Sequence, residues 1–241
     1  MDLKPVTVEE VMLIIESLKS TGVMGHDSIS CILLKIVHSV AVFVTAIINQ
    51  SFILSKYTTS FKYVQVIIPV PKSGDPTEAK YWQPVTILST LSKPLENVIN
   101  RQLKDHLMNN GLISSEQHSY QSQESVTTAW KELETITMDA PDRKKMVSYQ
   151  MQDMSAAFNL VDRKVLVPKM ARLGCSKQVC DLIDSYRMGR TNSVKIAGHV
   201  SDPVDVSTGV GEGSMLGPFI FLIQIIEVSI VMDIIREIIE E

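Results

Sequence analysis

Apolar residues recur three and four apart over much of this chain and alternate over shorter stretches, so helices and strands interleave. Thr7 and Glu10 have the spacing of a capping box, and Val8, Val11, Met12, Ile15 and Leu18 then follow at helical intervals until Gly22 and Gly25 stop the helix. A second helix is predicted to start after Asp27 or Ser28, with Ile32, Leu33, Ile36, Val37, Val40, Val44, Ile47 and Ile48 as its stripe. Tyr63 to Val70 is rich in β-branched residues and is closed by Pro69, Pro71 and Gly74, which predicts a strand and turn. Pro94 to Met108 predicts a helix with Leu95, Val98, Ile99, Leu103 and Leu107 on one face.

Residues 139–145 form a polar connection, and Met146 to Met154 reads as a strand ending near a carboxylate, Asp153. Short helices are expected over Val165 to Leu173 and Lys177 to Tyr186, parted by Gly174. Ser193 to Ala197 and Val204 to Ser207 suggest a hairpin around Gly198. The stretch 209–218, GVGEGSMLGP, is a glycine-rich loop, and an apolar helix follows to residue 241. Helices first and then strands mixed with helices give the α+β class.

Composition narrows the function classes. The chain has 241 residues, 45% of them hydrophobic and 21% charged, enough for a real core and against global disorder. Net charge is -4, but residues 200–241 hold eight acids and one base, which leaves residues 1–199 at +3. A weakly basic body permits nucleic-acid contact without requiring it. Cys31, Cys175 and Cys180 form neither a paired framework nor a zinc pattern, which predicts a reducing, intracellular setting. Asp2, Lys4, Glu9 and Glu10 interrupt the start, so no signal peptide is expected. Cys31 to Leu54 and Phe219 to Ile235 are apolar enough to suggest membrane spans. Glu227 and Asp233 would each cost roughly 2.5–3.5 kcal/mol at a span centre, so buried helices and no membrane are expected.

Three segments carry candidate chemistry. In 150–162, QMQDMSAAFNLVD, a strand delivers Asp153 into a turn of small residues with Phe158 five positions on. One carboxylate oxygen can hold Mg²⁺ while a substrate supplies phosphates, and the ring can lie under an incoming sugar. A strand-end Asp and a core Phe explain the same residues, and taken alone that plainer reading carries more weight. In 209–218, glycines allow close backbone approach, and the amides at the following helix start can meet an anion; a helix-entry turn explains them equally well. In 66–93, Lys72 sits on a tight turn where it could touch a phosphate, although a solvated hairpin lysine is the better reading of that segment by itself.

Taken in order, nine pieces of the chain resemble the reverse transcriptases of non-LTR (LINE-type, jockey-like) retrotransposons. They are PVTVEEV, STGVMGHDSIS, VIIPVPKSGDP, YWQPVTILSTLSKPLENVINRQL, LISSEQHSYQS, QDMSAAFNLVD, LVPKMARLGC, SYRMGRTNSVKIAG and STGVGEGSMLGPFIFL. The resemblance implies a right-hand polymerase, with a fingers-like region over 1–138, a partial palm over 139–241, and the thumb absent. It implies that Asp153 is a catalytic and metal-binding aspartate for Mg²⁺ and that Phe158 crowds the 2′-OH of ribonucleotides. It places Gly209, Gly213, Ser214, Gln83 and Lys72 about the nucleotide and template pocket, with an RNA template, its primer and dNTPs as partners. Arg190 matches an arginine of the family without a role that its position explains.

The departures matter as much. Gln83, Pro84 and Val85 stand where the family has Arg-Pro-Ile or Arg-Pro-Val; Val210, Gly211, Glu212, Gly213 and Ser214 stand for Val-Pro-Gln-Gly-Ser. Ser119, Tyr120 and Gln121 replace Gly-Phe-Arg, and Asn159 replaces a second acid. No Asp-Asp dipeptide occurs, whereas the family carries one in a Tyr/Phe-Ala-Asp-Asp hairpin after the helix that follows the loop. Asp233, among Ile230, Ile234 and Ile238, reads as helical and does not substitute for it. The expectation is a truncated reverse transcriptase domain, inactive alone, with an exposed apolar C-terminal helix prone to self-association. The alternatives are a non-enzymatic RNA- or protein-binding remnant, or a decayed reading frame.

Overall fold

A computed structural model describes residues 1–62, 64–114, 117–121, 123–144, 146–147, 149, 154 and 157–227. The capping box at Thr7 is formed. Its hydroxyl accepts from Glu10 N at 3.3 Å and Glu10 Oε2 accepts from Thr7 N at 3.0 Å, opening α1 (Val8–Ser17). The helix ends there, before Gly22 and Gly25. The expected second helix is two helices, α2 (Cys31–Ile36) and α3 (Val40–Leu54), opened by a serine cap at Ser30 and broken over 37–39. Its stripe needs correction: Cys31, Leu34, Ala41, Val44, Thr45 and Ile48 face the core, while Ile32, Leu33, Ile36 and Val37 are exposed. The break rotates α2 relative to a continuous helix, so the apolar side nearest in phase is not the covered one.

The predicted first strand is β1 (Val64–Pro71), which runs antiparallel to β2 (Trp82–Ile87) with Ile67 opposite Thr86. α4 (Ser92–Asn109) follows, and Leu95, Val98, Ile99, Leu103 and Leu107 are buried on it as the spacing predicts. α5 (Val126–Asp142) runs through 139–142, with Pro141 in its final turn. The polar stretch expected as a connection is therefore helical over its first part, because charged residues on an exposed helix face need no loop. The expected boundary between 138 and 139 falls inside this helix. The predicted strand over 146–154, with Asp153, lies mostly outside the described residues.

α6 (Arg163–Arg172) and α7 (Lys177–Arg187) form the expected pair, separated at Gly174. β3 (Arg190–Ile196) then turns through Ala197 and Gly198 into β4 (His199–Val200), and β5 (Val204–Val206) pairs with the start of β3. β3 also lies parallel to β1, with Gln65 opposite Asn192. A parallel pair needs a long crossover, and the helices α4 to α7 lie within it. The resulting order is β2-β1-β3-β4, with β5 beside β4 along β3. The glycine-rich loop leads into α8 over 217–227.

The core joins α1, α3, α4, α6, α7 and α8. In α8, Phe219, Ile220, Leu222, Ile223 and Ile226 are buried. This part of the apolar C-terminal helix is covered, contrary to the expected exposed stripe; residues 228–241 lie outside the description. Lys169 and Arg172 of α6 pair with Glu227 at 3.2 and 3.0 Å, fixing the two helices side by side. No described helix is long and apolar enough to cross a membrane.

Candidate functional site

The glycine-rich loop is pinned on both flanks. Gly209 N donates to Val161 O at 3.0 Å and Val210 N donates to Phe158 O at 2.8 Å, tying the loop to a 3-10 turn, Ala157–Leu160. On the other flank, Thr86 N of β2 donates to Glu212 O at 2.7 Å. Two glycines make these approaches possible. A Cβ on Gly209 (φ +80) would meet Asn159 Cα at 2.9 Å, and one on Gly213 (φ +118) would meet Thr86 O at 2.5 Å.

The loop also starts α8. Buried Ser214 accepts from Gly217 N at 2.7 Å, the geometry of a helix cap. Glu96, near the N-terminal end of α4, takes two more orphan amides: its Oε2 accepts from Met215 N at 3.0 Å and Leu216 N at 3.4 Å. Its Oε1 accepts from the Tyr57 hydroxyl at 3.3 Å and from Ser92 Oγ at 3.4 Å. Burial pushes the Glu96 pKa up, against the pull of Arg190 and these donors.

Most of the predicted site residues converge here, and one does not. Gln83 lies on β2, and its Nε2 donates to Glu212 Oε2 at 2.9 Å, so two positions that depart from the family pattern hold each other. Half-buried Phe158 packs against Phe221 of α8, with ring centroids 5.3 Å apart. Gly209, Gly213 and Ser214 form the loop itself. Lys72 is exposed past the end of β1, and its amide donates to Tyr81 O. Five residues along the strand from Ile67, it lies roughly 17 Å from where the loop meets the sheet, and it does not line the cavity there. Asp153 lies outside the described residues. Among the described residues, no three His, Cys, Asp or Glu side chains gather as a metal set.

Between loop and sheet is a cavity of about 70 Å³. Gln65, Ile67, Pro84, Thr86, Arg190 and Asn192 line it from one sheet face, as the period-two pattern and register require. Arg187 and Glu212 line it too. Arg190 is buried, with its guanidinium 4.1 Å from the centre of the Tyr186 ring and its Nε donating to Tyr186 O at 2.6 Å. Burial lowers the Arg187 pKa, with Arg190 acting in the same direction.

Sequence reasoning passed over Glu96 and Arg187 and gave Arg190 no role. Glu96 did leave a signal: with Ser92, Ile99 and Leu103 it occupies the covered side of α4, where an acid calls for a partner. Arg187 and Arg190 left none, because an arginine at a helix end or strand start is ordinarily solvated.

The sequence model of the family described as reverse transcriptase (RNA-dependent DNA polymerase) matches residues 70–233. The chain is 26% identical over 220 residues to the probable RNA-directed DNA polymerase from transposon BS of Drosophila melanogaster, an overlap of 91% of this chain and 24% of that protein. It is 27% identical over 221 residues to the RNA-directed DNA polymerase from mobile element jockey of Drosophila funebris, with 91% and 24% covered. It is 22% identical over 153 residues to the retrovirus-related Pol polyprotein from type-1 retrotransposable element R2 of Popillia japonica, with 63% and 21% covered. The chain spans about a quarter of the length of the curated relatives it matches.

Proposed function

The chain belongs to the reverse transcriptase family, and from this premise we propose that it forms the fingers and part of the palm of an RNA-directed DNA polymerase of retrotransposon origin, working inside the cell. The observation that carries the reading is the seat of the glycine-rich loop. The family match runs from the end of β1 through the loop, and the loop bridges β2 and the turn that carries Phe158. On this reading residues 1–138 are fingers and 139–241 partial palm. Asp153 would hold Mg²⁺, the ion that neutralises charge on the transferred phosphate. Phe158, Gly209, Gly213, Ser214 and Gln83 would border the incoming dNTP and the RNA template, and Lys72 would contact phosphate farther out. Self-association would draw on the apolar residues after 227.

We further propose that the 241-residue polypeptide does not polymerise by itself. Nucleotidyl transfer in this class uses two cations roughly 3.5–4 Å apart, and one aspartate cannot place both. The chain carries no Asp-Asp pair, and Asn159 stands where the family has a second acid. At the loop, Glu212 adds negative charge on the expected phosphate path, which works against transition-state stabilisation. A non-enzymatic RNA-binding role is the second reading, favoured by this same loss of acids.

Primer extension on an RNA template with Mg²⁺ or Mn²⁺ is the test, and no product is expected. Template-dependent incorporation that Asp153→Ala abolishes would overturn the claim of inactivity. Fusion to the palm and thumb of a related element should bring activity, most of all with Glu212→Gln and Gln83→Arg together. Gln83→Arg alone should help less, because Glu212 would pair with the new guanidinium. A folded fusion carrying both changes and showing no incorporation would refute the site assignment.

A further inference from the structure

We infer that the cavity under the glycine-rich loop binds a terminal phosphoryl group, held by Arg187 and Arg190. Both arginines are more than nine-tenths buried and both line the cavity. Their hydrogen bonding is incomplete. Arg190 uses Nε on Tyr186 O, and Arg187 uses one amino nitrogen on Val161 O at 3.3 Å. Nη1 and Nη2 of Arg190 and Nε of Arg187 are buried with no partner. Buried donors on charged groups are nearly always satisfied, so such a cluster calls for an acceptor.

Among the described residues the neighbouring carboxylates do not supply one: Asp162, whose charge acts on Arg187, accepts from Lys164 N at 2.8 Å and leaves the Arg187 Nε unpaired. Glu96 is close enough to Arg190 for their charges to interact, yet its oxygens are taken by Tyr57, Ser92, Met215 and Leu216. Glu212, on the cavity wall, accepts from Gln83. The stacking of Arg190 on Tyr186 offsets charge but provides no hydrogen-bond acceptor.

Shape selects the ligand class. A volume of about 70 Å³ is several times the ~10–15 Å³ that one water requires, and too small for a nucleoside. The rim is open at Asn159 and Thr208, both exposed. A group at the end of a larger molecule can therefore enter while the remainder stays outside. A carboxylate offers two oxygens in one plane. A phosphoryl end offers three in a pyramid and can meet two guanidinium forks at once. Glu212 opposes an anion here and so limits the affinity.

The inference does not rest on polymerase activity: phosphate binding by a chain that never extends a primer leaves it intact. The test uses the whole 241-residue protein and inorganic phosphate, with sodium chloride at matched ionic strength as control, read by thermal shift and titration calorimetry. A saturable rise in Tm is expected with phosphate, following mass action, and none with chloride. Thr208→Asp, on the exposed rim, should weaken binding roughly tenfold and Glu212→Gln should tighten it by a similar factor, the scale of one added or removed neighbouring charge. Arg190→Met should abolish the response. Should that variant not fold, the two rim and wall variants carry the test. Competition identifies the source: displacement by dATP points to a nucleotide, and displacement by a 5′-phosphorylated but not a 5′-hydroxyl RNA oligonucleotide points to a nucleic-acid end. Either supports the site. No phosphate response beyond the chloride control, a response unchanged in Thr208→Asp and Glu212→Gln, or a failure of both competitors would overturn it.

Discussion

Glu96 shows how a single buried charge can organise the loop above it. It lies 1% exposed on α4, yet it ties the start of α8 through two backbone amides. Because burial raises its pKa in the folded protein above the ordinary 4.5, the folded state holds this proton longer than the unfolded chain does. The associated stability is present below the unfolded pKa and is lost as pH rises through the folded one. Comparing the protein with Glu96→Gln cancels the titration of every other group. The difference in unfolding free energy should therefore move against the native residue as pH climbs above 4.5. Urea unfolding of both proteins at a series of pH values measures this, and a difference independent of pH would show that the carboxyl titrates alike in both states. The residue was visible in the sequence as an acid on an apolar stripe, but its partners were not, since Met215 and Leu216 are distant in the chain. The same holds for Gln83 and Glu212. Each was legible as a departure from the family pattern, and their mutual hydrogen bond spans 129 positions.

At the scale of elements, the seam between β2 and the glycine-rich loop depends on Gly213. Its φ of +118 is a conformation that side chains rarely adopt, and an added Cβ would sit 2.5 Å from Thr86 O, which is backbone and cannot swing aside. Gly213→Ala should destabilise by about 1–3 kcal/mol and loosen the bond from Thr86 N to Glu212 O, seen as faster amide exchange at Thr86. Gly22→Ala is the control, because nothing lies within 4 Å of a Cβ there. Equal stability of the two variants would dismiss the seam. Elements with one complete apolar stripe were legible beforehand: α4, α6 and α7 follow their spacing. α2 was misjudged because Ile32, Leu33, Ile36 and Val37 have the right period but face outward. Periodicity reports which residues share a face, not which face is covered. The end of α5 was misjudged because charge and Pro141 mimic a loop. The pairing of β1 with β3 could not be read at all, since register across a long crossover comes from packing and not from local pattern.

For the whole molecule, the distribution of charge decides how it meets nucleic acid. Residues 1–199 carry +3, and the remaining 42 carry eight acids against one base. The two arginines nearest the loop are buried under it, so they can meet a phosphate end but not a continuous backbone. Lys72, exposed past the end of β1, is a cation placed to touch a strand running along the hairpin. A net charge of only +3 over residues 1–199, with an acidic stretch after them, gives weak overall attraction to a polyanion. RNA binding should accordingly be weak and should fall with salt, since release of counterions supplies most of the free energy. For single strands, log K should decline against log salt with a slope of about −0.7 for each phosphate contacted, a steep fall for a binder that relies on charge. Lys72→Ala should lower that magnitude by about one contact, whereas Thr208→Asp should act chiefly on RNA bearing a 5′-phosphate. Fluorescence anisotropy with a labelled single-stranded RNA, titrated at several salt concentrations, separates these effects. Nanomolar binding that ignores salt and prefers one RNA would overturn this account, because contacts of that kind require base recognition by surfaces that the charge pattern does not predict.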